Sequence, residues 1–230
     1  MNELSNDFIL ENIDSLPQEH REHIYQLLQQ TKQLDEAEEA REDFLEFTRQ
    51  VWPQFICGPH HRIMAEKFQQ VVDGKLKRLI INMPPRVGKS ELTSRHLPAW
   101  FMGRKPDRKI ITATHTAELS HDFGRKVRNL VASQEYQKIF PGVDVSADSR
   151  AAGRWSVSGG GEYYATGVGG ALAGRGADLF IIDDPHDEEA GMSSNPEYYK
   201  QIFEWFKTGP RQRLQPGGAI IIVMTRWSEL

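Results

Sequence analysis

The sequence predicts a three-layer α/β fold, a mostly parallel central sheet between layers of helices, with a helical arm at the N-terminus. Three observations carry this expectation. Four short runs, RLIIN (78–82), KIITAT (109–114), LFIID (179–183) and AIIIVMT (219–225), are β-rich and apolar on both faces, as strands covered on both sides read. Helical stretches separate them, and such alternation builds parallel sheets. The first run leads through a short loop ending in Gly88-Lys89-Ser90 directly into a helix.

Taken in order, residues 16–35 carry Ile24, Leu27, Leu28, Thr31 and Leu34 near helical spacing behind the start signals Ser15 and Pro17, so a helix is expected there. A second helix, over 37–51, puts Phe44, Phe47 and Val51 on one face. WPQFICGPHH (52–61) breaks it with prolines and a glycine. A third helix, about 60–73, carries Ile63, Met64, Phe68 and Val71 or Val72. After the first strand a helix is expected over 89–102, kinked at Pro98. Further helices fit 116–132 and 195–207, and the glycine- and aromatic-rich segment 150–176 reads as short strands and turns. No solenoid-length repeat or low-complexity tract interrupts this order.

Composition bounds the rest. The 230 residues are 39% hydrophobic and 26% charged, enough to bury a full α/β core and too apolar for a disordered chain. A single cysteine, Cys57, forbids an intrachain disulfide, and no apolar run approaches a membrane span, so a cytosolic protein is expected. The net charge of −4 hides an asymmetry: residues 1–46 hold 13 acidic against 3 basic residues, leaving 25 basic and 19 acidic on the remainder. An acidic arm (1–50) on a mildly basic body (51–230) permits a nucleic-acid partner without requiring one. The last strand lies a few residues from Leu230, so the sequence reads as part of a longer protein.

Gly88-Lys89-Ser90 has the strand-before, helix-after context of a phosphate-binding loop, although Met83 stands where the first glycine of G-x-x-x-x-G-K-[ST] belongs. Gly88 lets backbone approach phosphate oxygens, Lys89 reaches the β/γ-phosphates and the Ser90 hydroxyl takes a position on Mg²⁺. Pro84 and Pro85 lack N–H groups but stiffen the entrance. The competing reading is an ordinary strand–turn–helix join with an exposed lysine. A second signal stands about ninety residues on, where an apolar strand ends in Asp183-Asp184. Asp183 is expected on Mg²⁺ and Asp184 as the base that polarises water, with Glu188 or Glu189 as alternative bases.

Four stretches, RLIINMPPRVGKSE (78–91), IITATHTAELSHDFGRKVRNLV (110–131), GRGADLFIIDDPHDEEA (174–190) and IIIVMTRWSEL (220–230), together resemble the ATPase domain of the large terminase subunit, the DNA-packaging motor of tailed bacteriophages. The resemblance implies a P-loop NTPase of the ASCE type using ATP and Mg²⁺, with Pro85, Arg86, Val87, Gly88, Lys89, Ser90 and Glu91 around the nucleotide. It implies that Arg86 senses the γ-phosphate and that Thr225-Arg226 form the coupling motif. Arg175 becomes a candidate arginine finger supplied in trans, with Arg154 as competitor. GPHHR (58–62) stands near the family's adenine motif. Implied partners are double-stranded DNA, the portal protein, the small terminase subunit and neighbouring copies in a ring, in the host cytoplasm and without a membrane. The basic clusters Arg125, Lys126, Arg128 and Arg104, Lys105, Arg108, Lys109 are where phosphate contacts would be sought, with a solvated surface as the default.

Asp184 is a departure from the family, being one methylene shorter than the usual glutamate. The family's nuclease domain is also missing after Leu230, so no nuclease activity is expected. The alternatives are a helicase-like P-loop ATPase and a non-hydrolysing nucleotide-binding scaffold.

Overall fold

Strand and helix boundaries follow the apolar periodicity closely where the chain crosses the core. A computed structural model of the chain describes residues 17–187 and 195–226. The helices α1 (Gln18–Glu42), α2 (Phe44–Val51) and α3 (Pro59–Val72) lead to β1 (Arg78–Asn82). A π-helical turn (Glu91–His96) runs into α4 (Leu97–Arg104), followed by β2 (Lys109–Thr114), α5 (Ala117–Val131) and α6 (Gln134–Ile139). Then come β3 (Val145–Ala151), β4 (Arg154–Val157), β5 (Glu162–Gly167), β6 (Ala177–Asp183), α7 (Pro196–Thr208), a 3₁₀ turn (Pro210–Arg213) and β7 (Leu214–Met224).

The strands form one sheet in the order β1-β7-β6-β2-β5-β4-β3. The first five are parallel, and β4 and β3 are added antiparallel at the far edge. The fold class read from sequence is therefore present. β7 lies between β1, which ends in the glycine loop, and β6, which ends in the aspartate pair. That order brings three strand ends to one edge of the sheet. Parallel sheets place ligands there, beyond the carboxyl ends of the strands.

One face of the sheet packs the larger core, where Phe44, Phe68 and Trp100 meet edge-on and Phe47 meets Tyr136. The other face carries a smaller cluster around Phe180, Ile182 and Ile220, against which Trp205 and Phe206 of α7 pack.

Four expectations are corrected. The predicted helices 16–35 and 37–51 redistribute, because α1 runs unbroken to Glu42 and the break falls at Asp43, whose carboxylate caps α2 by accepting from the N–H groups of Leu45 and Glu46. Start signal Ser15 lies outside the described residues. Within α1 the buried residues are Ala37 and Ala40, while Leu27 and Leu34 are 48% and 66% exposed, so the apolar stripe does not face the core. Two small residues suffice for close approach: Trp100 Nε1 donates to the Ala40 carbonyl at 3.0 Å.

The kink expected at Pro98 is a widened turn instead. The Leu97 N–H bonds to the carbonyl of Leu92, five residues back. A π turn gives room where a proline next in line offers no N–H and its ring would meet the carbonyl four residues back. Finally, β1 is not covered on both faces: Ile81 is buried, but Ile80 is 64% exposed on an outer strand of the sheet, and Ile63 in α3 is likewise exposed. β7 also starts earlier than expected, at Leu214.

Candidate functional site

The loop after β1 is shaped by two left-handed residues, Arg86 (φ 64°) and Gly88 (φ 82°). Met83 N–H still bonds to the Met224 carbonyl of β7 at 3.1 Å, after which the chain leaves the sheet. The backbone N–H groups of Arg86, Val87, Gly88, Lys89 and Ser90 fall on the turn and the first helical residues that follow, outside the strand ladder. Alternating hand in consecutive residues turns such amides inward as an anion-binding concavity. Arg86 holds the left-handed conformation without being glycine, at a cost that a loop without function has no reason to bear.

Lys89 is buried, and its ammonium lies 2.8 Å from Asp184 Oδ2. Ser90 Oγ donates to Asp183 Oδ1 at 3.0 Å. One turn further on, Ser94 Oγ donates to the other oxygen, Asp183 Oδ2, at 2.6 Å. Asp183 is buried at the end of β6, and burial pushes its carboxyl up to about 6; the Asp184 charge adds to this, and Ser94, Ser90 and Lys89 oppose it. A hydroxyl and a carboxylate 3.0 Å apart in a buried recess fit the oxygen set that Mg²⁺ takes beside phosphates.

Asp184 sits just past the strand with φ 42°, a conformation an aspartate tolerates better than most residues. Its N–H bonds to the Val223 carbonyl, and its Oδ1 accepts from the Thr225 N–H at 2.7 Å. The Thr225 hydroxyl is buried with no partner among the described residues. An orphaned hydroxyl beside the pair of aspartates has the position to bond a phosphate oxygen or a water.

The sequence-derived site residues therefore divide. Gly88, Lys89, Ser90, Asp183, Asp184 and Thr225 are linked by direct contacts or adjacency. Pro85 and Arg86 are exposed on the loop, and Val87 turns its carbonyl to α3. Glu91 pairs its carboxylate with Arg95 at 3.1 Å. Arg175 lies just before β6 begins, at the opposite end of the sheet from Asp183, with its guanidinium 3.7 Å from the Tyr164 ring centre. It is not brought together with this site within one chain. Glu188 and Glu189 lie outside the described residues.

The basic clusters are largely neutralised. Arg125 and Lys126 pair with Asp122, Arg104 with Glu42 and Asp73, Arg108 with Asp178, and Lys109 with Glu162.

Residues 80–191 match the family model described as terminase large subunit, T4-like-virus type, N-terminal. Over those 112 residues, just under half of its length, the chain is similar to the large terminase subunit. The terminase match takes in the glycine loop, β2, β6 and the aspartate pair. Among solved structures, the HK97 bacteriophage large terminase aligns at 13% identity and TM-score 0.48, over 74% of this chain and 33% of that one. An arginine-to-alanine variant of the Thermus phage P74-26 large terminase ATPase domain aligns at 17% identity and TM-score 0.45, over 78% and 68% of the two chains. The chain thus spans about a third of the length of the HK97 terminase. No curated protein matches it in sequence.

Three features of this site were missed in the sequence. Ser94 is the second hydroxyl on Asp183; its spacing of four from Ser90 was the available signal. His60 and His61 of GPHHR bond to the loop backbone, both reaching the Val87 carbonyl. The tie between Asp184 and the Thr225 amide had no signal, because it joins residues 41 apart.

Proposed function

We propose that this chain is the ATPase motor part of a terminase large subunit, hydrolysing ATP to move double-stranded DNA into a procapsid. One observation carries the reading: Lys89 and Ser90, Asp183 and Asp184, and Thr225 converge from the ends of β1, β6 and β7 beside the loop amides of 86–90. The amides of 86–90 receive phosphate oxygens, and Lys89 exchanges the Asp184 carboxylate for the β/γ-phosphates. Mg²⁺, when bound, neutralises charge developing on the phosphates. Ser90 and Asp183 would hold it. Asp184, once released by Lys89, accepts a proton from the attacking water, and Arg86 stabilises charge on the γ-phosphate.

Coupling follows from the same contacts. Asp184 is bonded to the Thr225 amide at the exit of β7, so a change at its carboxylate is felt by the segment leading away from the sheet. Arg175 is assigned as the finger that one copy supplies to a neighbour's site, which makes turnover depend on assembly. Such a ring would work on the portal, with the small terminase subunit, in the host cytoplasm. Nuclease activity is not assigned to these residues.

The test is Mg²⁺-dependent ATP turnover of the chain, with and without double-stranded DNA, compared with Lys89→Ala. Turnover abolished by Lys89→Ala supports the assignment. Turnover indifferent to that change does not arise at this site, and no turnover at high protein concentration with DNA added, where nucleotide still binds, favours a non-hydrolysing nucleotide binder.

A further inference from the structure

The start of α3 is built around the back of the phosphate loop. Pro59 occupies the first turn of the helix, and Gly58 precedes it as N-cap. The Gly58 N–H donates to His61 Nδ1 at 3.0 Å, so that nitrogen carries the lone pair and Nε2 carries the proton. His61 Nε2–H then donates to the Val87 carbonyl at 2.9 Å. His60 Nε2 reaches the same oxygen at 3.2 Å. The two rings stand 3.8 Å apart, centre to centre. A carbonyl oxygen has two lone pairs and accepts both bonds.

Two glycines make this possible. A Cβ on Gly88 would lie 3.0 Å from His61 Nε2, and a Cβ on Gly58 would lie 2.8 Å from His60 Cε1. A side chain at either position would crowd a histidine and shift it against its acceptor. His61 is buried, held by Phe55 with ring centres 5.0 Å apart, and burial lowers its pKa, which keeps the ring in the neutral form the bonding needs. A pair of histidines, a pair of glycines and one carbonyl form a single device.

We propose that His60 and His61 are positioning residues for nucleotide binding, clamping the Val87 carbonyl so that the Gly88 N–H faces the phosphate. The inference rests on the nucleotide-binding reading above. The physical reason is the planarity of the peptide group: with the Val87 C=O held toward α3, the N–H of Gly88 points the opposite way, away from α3. A P-loop with glycine at its first position relies on backbone freedom there; this loop has Met83, two prolines and a non-glycine residue at positive φ. Its shape is imposed from behind. The histidines touch no nucleotide atom themselves and act through the loop.

The test uses a fluorescent ADP analogue, titrated with Mg²⁺ into the wild-type chain, His60→Ala, His61→Ala, the double variant and His61→Gln. The clamp predicts that the double variant binds at least about tenfold more weakly, the scale of one lost anchoring bond. His60→Ala should show a smaller loss, and His61→Gln, which keeps a donor near the Nε2 position, should recover most of the affinity. In steady-state turnover the loss appears in KM for ATP, with kcat at saturation within about threefold. Because His61→Ala opens a core site, a wild-type measurement stands beside it: ¹⁵N NMR should report His61 as the Nε2–H tautomer. Unchanged affinity in a folded double variant, or an Nδ1–H tautomer, overturns the clamp while leaving the nucleotide site intact. A wild-type chain that binds no nucleotide overturns both.

Discussion

Lys89, buried, and Asp184, half-buried, form an ion pair, with the Lys89 ammonium 2.8 Å from the Asp184 carboxylate. The residue assigned to the phosphates and the residue assigned to the water hold each other directly. Asp184→Ala is therefore expected to lower kcat by about 10²–10⁴-fold, the worth of a general base. Nucleotide binding should hold or tighten, since Lys89 no longer leaves a partner. Turnover and analogue binding, measured on the same protein, check this. Turnover left intact by Asp184→Ala, with binding unchanged, transfers the role of base to Glu188 or Glu189.

Ser94 is buried and donates to Asp183 Oδ2. Ser94→Ala leaves that oxygen without a donor, and stability should fall by about 1–3 kcal/mol in chemical denaturation. The Mg²⁺ concentration giving half-maximal analogue binding should rise as Asp183 loses its fixed orientation. An unchanged Mg²⁺ requirement limits Ser94 to a packing role.

Arg86 separates side-chain chemistry from backbone strain. Arg86→Ala and Arg86→Gly both remove the guanidinium, and both should cut turnover by similar factors. Only glycine relieves the positive φ, so Arg86→Gly should be the more stable of the two by about 0.5–1 kcal/mol. Equal stabilities would show that the loop relaxes out of this conformation.

His96 is buried against Trp52, their rings stacked 5.3 Å apart, and burial drives its pKa down to about 4. The folded chain binds fewer protons here than the unfolded chain between about 4 and 6.5. The stabilisation is thus complete above 6.5 and is lost as pH falls toward 4. Asp183, raised to about 6, acts with the opposite sign over the overlapping range. In an Asp183→Asn background the Tm should fall as pH drops from 6.5 to 4.5, and His96→Phe, which keeps a ring against Trp52, should flatten that slope. Parallel curves would remove His96 from the acid response.

Arg175 lies on the Tyr164 ring at the far end of the sheet from Asp183, so any part in hydrolysis has to be played on another copy. Specific turnover should rise with protein concentration. Mixing Lys89→Ala with Arg175→Ala should restore part of the activity that each lacks. Strictly linear rates and no rescue on mixing would exclude a finger at this position.

Much of the fold was legible because it is written locally. RLIIN and KIITAT became strands with the boundaries read from the sequence, since an apolar run bounded by breakers leaves few other ways to bury itself. Gly88-Lys89-Ser90 and Asp183-Asp184 stood out in the sequence because each follows an apolar strand, and the structure places both at strand ends on one edge of the sheet. The helical stripe of α1 misled: periodicity shows that a helix has an apolar face but not what lies opposite it. Leu27 and Leu34 are exposed where Ala37 and Ala40 make the contact.

The sequence by itself determined the alternation of strands and helices, the phosphate loop, the acidic strand end and the terminase likeness. Tertiary structure alone decided which of these act together. Strand order put β7 between the loop and the aspartates, so that Thr225 meets Asp184, and the π turn brought Ser94 beside Ser90 on the same carboxylate. It also brought His60 and His61 to the Val87 carbonyl. The physical reason is range: propensity and periodicity act over a few residues, whereas these contacts join positions 26 to 93 apart and exist only once the sheet has set their distance.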